Sequence, residues 1–290
     1  MQDNAGQSRT MTQAYSDWIG KEMRVQDQVS ATALARWCAT FDRPLPARFV
    51  PQAYHWCLCL PDAPTARLDQ DGHPLRGDFL PPIPLPRRMW AGSQVIFQSA
   101  IAQNAAIERV SRIDSITEKS GGSGPLVFVA VEHITLADGV AAVREMQNLV
   151  YRPAASAPMP APPAPLAPPD LRAWDWHKIL EPDARLLFRY SALSFNTHRI
   201  HYDLDYAREV EGYPALVVHG PLTATLLVEL ASAHLGEQAL GQFQFKGLAP
   251  AFAPDSLYLV GKRTETGLAL AALGADGRMV MEASATLREK

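Results

Sequence analysis

Cysteine is scarce, with Cys38, Cys57 and Cys59 the only three in 290 residues. Three cannot all pair internally, which argues against a disulfide scaffold. The Cys-x-Cys lies in an apolar, strand-like stretch where buried free thiols are expected. Long apolar runs are also missing. No stretch approaches the roughly 20 residues that a membrane helix needs. The opening MQDNAGQSRTMTQAYSDW is polar and shows no basic-then-apolar leader pattern. Nor is there an excess of one charge. The formal net charge is −3, too small for a general electrostatic grip on nucleic acid or an anionic membrane. The expectation is a cytoplasmic protein with no nucleic acid and no membrane among its partners. A content of 47% hydrophobic and 20% charged residues is that of a folded chain.

Proline, by contrast, is abundant and concentrated. YRPAASAPMPAPPAPLAPPD, residues 151–170, cannot build a core, and its prolines favour an extended path. Residues 151–173 therefore read as a linker between an N-terminal domain, 1–150, and a C-terminal domain, 174–290, both of ordinary domain size. In the C-terminal part, Leu186–Leu193 looks like a strand. Asp203 is placed to cap a short helix over 204–210, and Gly212-Tyr213-Pro214 breaks it. Gly220-Pro221 then opens a long helix with Leu222, Leu226, Leu227, Leu230 and Ala233 at helical spacing, and Gly236 stops it. Strand-like runs follow at 242–248, 256–264, 268–273 and 279–287, with Ala275-Asp276-Gly277 as a tight turn. One apolar helix before an antiparallel meander implies an α+β fold, a sheet curled around a buried helix.

The N-terminal part repeats this plan less clearly. Ser30–Phe41 is helical, Tyr54–Leu60 is helix or strand, and 95–100, 106–117, 126–133 and 143–150 read as strands. SGGSG at 120–124 is a loop, and it lacks the Lys-Ser/Thr ending of a phosphate-binding loop. DGHPLRGDFLPPIPLPRRMW, 71–90, carries five prolines. An ordered irregular stretch of this length often lines a functional cleft.

The candidate chemistry lies in FRYSALSFNTHRIHYD, followed by YPALVVHGPLTATLL. These residues resemble the hydratase motif of the MaoC-like, hot-dog-fold enoyl-thioester hydratases and dehydratases. HWCLCLP and the 71–90 stretch resemble the two-hot-dog branch that acts on 3-methylfumaryl-CoA (mesaconyl-CoA with the thioester at carbon 4). The resemblance spans about residues 30 to 290. It implies a double hot dog, two curved antiparallel sheets each around a long helix. The C-terminal copy would carry the motif, and the N-terminal copy would shape the acyl and CoA site.

The family motif places an Asp and a His five positions apart around one water. His201 matches the His, and Asn196 stands where the family has Asp. An amide cannot accept the proton of water as a carboxylate can. The resemblance therefore implies His201 as acid and base, with Asn196 orienting the water. Alternatively, Asn196 is only a turn residue. Gly220 lets a thioester approach the free N–H groups at the helix start, including that of Leu222, with the helix dipole behind them. Its N–H is the candidate oxyanion donor. His219 suits packing or orientation as well as contact with substrate. His198 and His201 at i,i+3 raise the question of a metal. No convincing third ligand follows, so no metal and no cofactor are expected. A dicarboxylic substrate needs a cation. Arg199, Arg189, Arg87 and Arg88 are candidates, although the same groups could serve CoA phosphates or face solvent.

The expected activity is a hydro-lyase on an acyl-CoA thioester, with 3-methylfumaryl-CoA giving citramalyl-CoA. Within enzymes the alternative is a dehydratase of fatty 3-hydroxyacyl-thioesters, and outside them a non-catalytic acyl-CoA-binding module. A homodimer is compatible with the resemblance.

Overall fold

The structure is a computed structural model and describes residues 15–121, 124–164 and 167–289. The polar opening, residues 1–14, and positions 122–123 of the 120–124 loop lie outside it. Ten strands form one sheet. They are β1 (Glu22–Gln28), β2 (Arg87–Phe97), β3 (Ala106–Gly121), β4 (Gly124–Ala137), β5 (Val140–Arg152), β6 (Trp176–Leu180), β7 (Leu240–Gly247), β8 (Leu257–Thr264), β9 (Gly267–Leu273) and β10 (Met279–Leu287). Their order is β1-β3-β4-β5-β2-β7-β10-β9-β8-β6, and every pairing is antiparallel. Each half thus contributes five neighbouring strands, and β2 joins them by pairing with β5 on one side and β7 on the other. This is the arrangement of two hot dogs fused edge to edge.

The strands follow from alternation. On β4, Val127, Val129 and Val131 are buried while the residues between them are half-exposed, the period of a one-faced strand. Helix α1 (Ala31–Thr40) starts where the Ser30 side chain accepts the N–H of Ala33. It buries Leu34, Trp37 and Cys38. Helix α3 (Gly220–Leu235) has buried residues on every side, from Leu222 and Ala224 to Leu230 and Ala231. A helix apolar all round belongs inside, and α3 packs against β8, β9, β2 and β6. The shorter α1 packs chiefly against α2 (Ala184–Ser194). The two halves therefore enclose their helices unequally.

Three local readings change. The run 186–193 is not a strand but most of α2. Asp183 caps it by accepting the N–H of Leu186 at 2.9 Å. Its buried residues, Leu187 and Tyr190, recur with helical rather than alternating period. Tyr54–Cys57 is a short 3-10 helix, followed by Cys59 in the left-handed region, so the Cys-x-Cys is not on a strand. All three cysteines are free and buried. Finally, β5 runs through Arg152, which moves the start of the extended segment past Tyr151. The segment lies against the C-terminal half, where the Met159 N–H donates to the Gly212 carbonyl at 2.7 Å. The Asp203 cap forms as expected, with its carboxylate accepting the Tyr206 N–H at 3.0 Å. Among the described residues no helix is long and apolar enough to cross a membrane.

Candidate active site

A cleft of about 990 Å³ is lined by residues of both halves, among them His73, Arg88, Asn196, His198, His201 and Gly220. The stretch after α2 delivers the motif into it. Phe195 takes a left-handed conformation (φ 47°) that ends the helix, and the Asn196 N–H returns to the Ser191 carbonyl at 2.9 Å. The Asn196 side-chain oxygen then accepts the His198 N–H at 3.0 Å. This is a local turn built by the side chain itself. The turn role of Asn196 is therefore realised, on a residue that also faces the cleft. A single 3-10 turn, Arg199–His201, follows and carries His201 inward.

His201 is held in a defined tautomer. Its Nδ1 lies 2.7 Å from the Val217 carbonyl. A carbonyl only accepts, so Nδ1 carries the proton and Nε2 is left as an acceptor. Burial pushes His201 down to about 4, against the bond from Val217, which works upward. The imidazole is neutral near pH 7, as a base must be. His219 stacks on it with ring centroids 3.6 Å apart, and its Nε2 meets Ser191 Oγ at 2.9 Å. His219 is fully buried and does not line the cleft, so the structure places it behind His201 and not against a substrate.

The irregular segment 71–90 is ordered, and it closes one side of the cleft. Gly72 sits at φ +90°, and a Cβ there would fall 1.8 Å from the Thr197 carbonyl oxygen. Only glycine permits that approach. Thr197 Oγ1 donates to the Gly72 carbonyl, and the Arg199 N–H donates to the Asp71 carbonyl at 2.9 Å. The segment thus clamps onto the histidine turn. The clamp brings His73 to His198, with ring centroids 4.3 Å apart, while His198 stands edge-on to His201 at 5.4 Å. Asp71 accepts the His73 backbone N–H at 2.8 Å and lies 2.9 Å from His73 Nδ1. Burial alone would raise the Asp71 carboxyl, but the His73 hydrogen bonds and charge hold it below the usual carboxylate range. His73 is itself lowered, by burial first and by the charge of Arg88, with Asp71 pulling the other way. His198 is lowered further by burial, His73 and His201.

Asp71, His73 and His198 bring ligand atoms within 4.8 Å of one another, a third partner that the local spacing did not offer. The Asp71 Oδ2–His73 Nδ1 hydrogen bond at 2.9 Å already occupies that pair of atoms.

Several expected contacts fall elsewhere. Arg199 turns to Asp203, with Nη2 to Oδ2 at 2.7 Å, and stays outside the cleft lining. The Leu222 side chain is wholly in the core. The neighbouring Thr223 N–H is taken by the His219 carbonyl at 3.1 Å. Arg189 donates to the Ala39 carbonyl, and Arg87, although it lines the cleft, pairs with Glu211 at 2.8 Å. Arg88 does face the cleft, and among the described residues it forms no ion pair. Gly220 also faces the cleft. A Cβ there would meet only the Trp90 carbonyl oxygen at 3.8 Å, an ordinary contact, so packing does not impose glycine. The sequence reading missed Asp71 and His73. The signal was the Asp-Gly-His triplet within the irregular stretch.

Known proteins agree with this architecture. A mesaconyl-C(4)-CoA hydratase of Chloroflexus aurantiacus is 42% identical over 274 residues, which is 93% of this chain and 96% of that protein. The solved structure of HtdX of Mycobacterium tuberculosis superposes with TM-score 0.68 at 15% identity, covering 91% of this chain and 99% of that one. A second M. tuberculosis protein, described as a double hot-dog fold, gives TM-score 0.56 at 14% identity over 93% and 96% of the two chains. The family profile of hydroxyacyl-thioester dehydratase type 2 matches residues 53–253. With that match and that relative, the chain belongs to the hydroxyacyl-thioester dehydratase type 2 family and is a carbon–oxygen lyase of the hydratase type.

Proposed function

We propose that the chain adds water to 3-methylfumaryl-CoA to give citramalyl-CoA, without a cofactor. His201 Nε2 takes a proton from water as its oxygen bonds to the β-carbon. The π pair moves toward the thioester oxygen, which the Gly220 N–H receives at the positive end of α3. The imidazolium then returns the proton to the α-carbon. Asn196, fixed by its bond to His198, positions the water beside His201. Residues 174–290 supply this machinery, and residues 1–150 shape the acyl and CoA site.

The observation that carries the choice of substrate is Arg88. The free carboxylate of 3-methylfumaryl-CoA sits on the carbon that water attacks, so its cation must lie near the histidines. Arg88 lines the cleft, and its charge acts on both His73 and His198. A guanidinium without a carboxylate partner of its own suits such a group. The name of the 42% identical relative points the same way.

The purified protein, incubated separately with 3-methylfumaryl-CoA and with crotonyl-CoA, should add one water to the first and little or none to the second. Hydration of crotonyl-CoA alone would favour a fatty-acyl dehydratase. Binding with no turnover of either would favour an acyl-CoA-binding module.

A further inference from the structure

We infer that His73 is a second catalytic imidazole of this site, accepting the other O–H of the reacting water, with Asp71 as its positioning residue. The inference rests on the hydration reading. The family motif puts a carboxylate where this chain has Asn196, and one lone pair of the Asn196 side-chain oxygen is held by the His198 N–H. Asn196 thus offers the water less accepting capacity than a carboxylate would, which leaves a place for a second acceptor.

His73 can fill it. Its Nδ1 faces Asp71 Oδ2 at 2.9 Å, and a carboxylate accepts, so the ring proton sits on Nδ1 and Nε2 keeps its lone pair. Val217 imposes the same tautomer on His201. The cleft is thus served by two neutral imidazoles, one from each half, each with its Nε2 lone pair available. His73 lines the cleft, with its ring 4.3 Å from that of His198 and tilted 39° to it, and the His198 ring is in turn 5.4 Å from that of His201. The clamp of Gly72 on Thr197 fixes the spacing between the two.

The step balances with a single mobile proton. One hydrogen of the water passes to His201 Nε2 and then to the α-carbon. The other remains on oxygen, hydrogen-bonded to His73 Nε2, and becomes the hydroxyl hydrogen of the product. His73 thereby sets which lone pair of the water faces the β-carbon. Asp71 acts only through the tautomer and orientation of His73.

The test uses whichever of 3-methylfumaryl-CoA and crotonyl-CoA the wild type hydrates. His73→Gln should lower kcat by roughly 10²-fold, while KM and the affinity for the saturated analogue methylsuccinyl-CoA stay within about threefold of wild type. Asp71→Asn offers Nδ1 a donor in place of an acceptor and moves the ring proton to Nε2, so it should lose activity on a similar scale. The double variant should be no slower than His73→Gln alone, because both changes remove one function. Independent, multiplying losses would mark Asp71 as a purely structural support of the loop and overturn its role. If His73→Gln keeps more than about a third of wild-type kcat, the inference fails and the hydration reading stands. Activity lost to a chelator and restored by zinc would replace the inference with a metal ion held at Asp71, His73 and His198. A wild type that hydrates neither substrate would overturn both readings.

Discussion

The rings of His201 and His219 lie nearly parallel, 20° apart in plane and 3.6 Å between centroids. The pair is buried, and burial disfavours the charged form of both rings. His201 is tied by Nδ1 to the Val217 carbonyl, and His219 meets Ser191 Oγ through Nε2. Each is lowered, His219 by burial and then by the charges of His201 and His198. The stack therefore links the protonation state of His201 to the integrity of the core behind it.

The first prediction is acid lability. His201 is held at about 4, below its ordinary value of 6.5, and burial holds His133 at about 4 as well. Between those values the unfolded chain binds protons that the folded chain does not. Stability therefore rises with pH across this window and is lost as pH falls below about 6.5. Each of these two groups accounts for a loss on the order of 3 kcal/mol by about pH 4. Urea unfolding at about pH 7.5 and about pH 5 checks it, and equal midpoints would refute it.

A second prediction isolates Gly220. Gly220→Ala adds a Cβ that meets only the Trp90 carbonyl oxygen at 3.8 Å, at the start of a helix. The fold should hold, with a melting temperature no lower than wild type. If the thioester oxygen docks on this N–H, kcat/KM should fall by roughly tenfold to a hundredfold. Unchanged kinetics would place the oxyanion elsewhere.

The C-terminal meander was legible because its strands are separated by clear turns, and Gly220-Pro221 and Gly236 bracket α3 in the sequence as they do in space. Helix α2 was misread because Leu186-Leu187-Phe188 is a contiguous apolar run. Only the burial of Leu187 and Tyr190, with Phe188 left exposed, reveals its period. Arg199 looked free, although an Asp four residues on was a readable partner. The Asp71–His73 pair could be seen as a triplet, but not as part of the site. Its approach to His198 depends on a contact between Gly72 and Thr197, 125 residues apart, and no local pattern encodes such a contact.

A third prediction concerns substrate choice. Arg88→Gln keeps a hydrogen-bonding side chain but removes the charge. Losing a charge-assisted bond to a carboxylate costs about 1.5–3 kcal/mol, or roughly ten- to a hundredfold in kcat/KM for 3-methylfumaryl-CoA. Any residual rate with crotonyl-CoA, which has no second carboxylate, should be preserved or raised. Equal losses on both substrates would make Arg88 a CoA or structural contact.

The last prediction tests how the halves are held together away from the cleft. Arg43, just beyond α1, places Nη1 2.8 Å from both oxygens of Glu229 on α3, and its Nη2 is 2.6 Å from Glu237. Arg43 and Glu229 are nearly buried, with side chains 12% and 16% exposed. Burial raises the Glu229 carboxyl to about 7 even with the guanidinium beside it. Arg43→Met would leave that carboxylate buried without its cation, which typically costs about 3–5 kcal/mol. The double variant with Glu229→Gln should recover much of the loss, because no uncompensated charge remains. Urea midpoints of the two singles and the double decide this. Additive losses would mean that the pair contributes packing rather than charge compensation. The cleft lies away from this pair, so the properly folded fraction of each variant should keep wild-type KM.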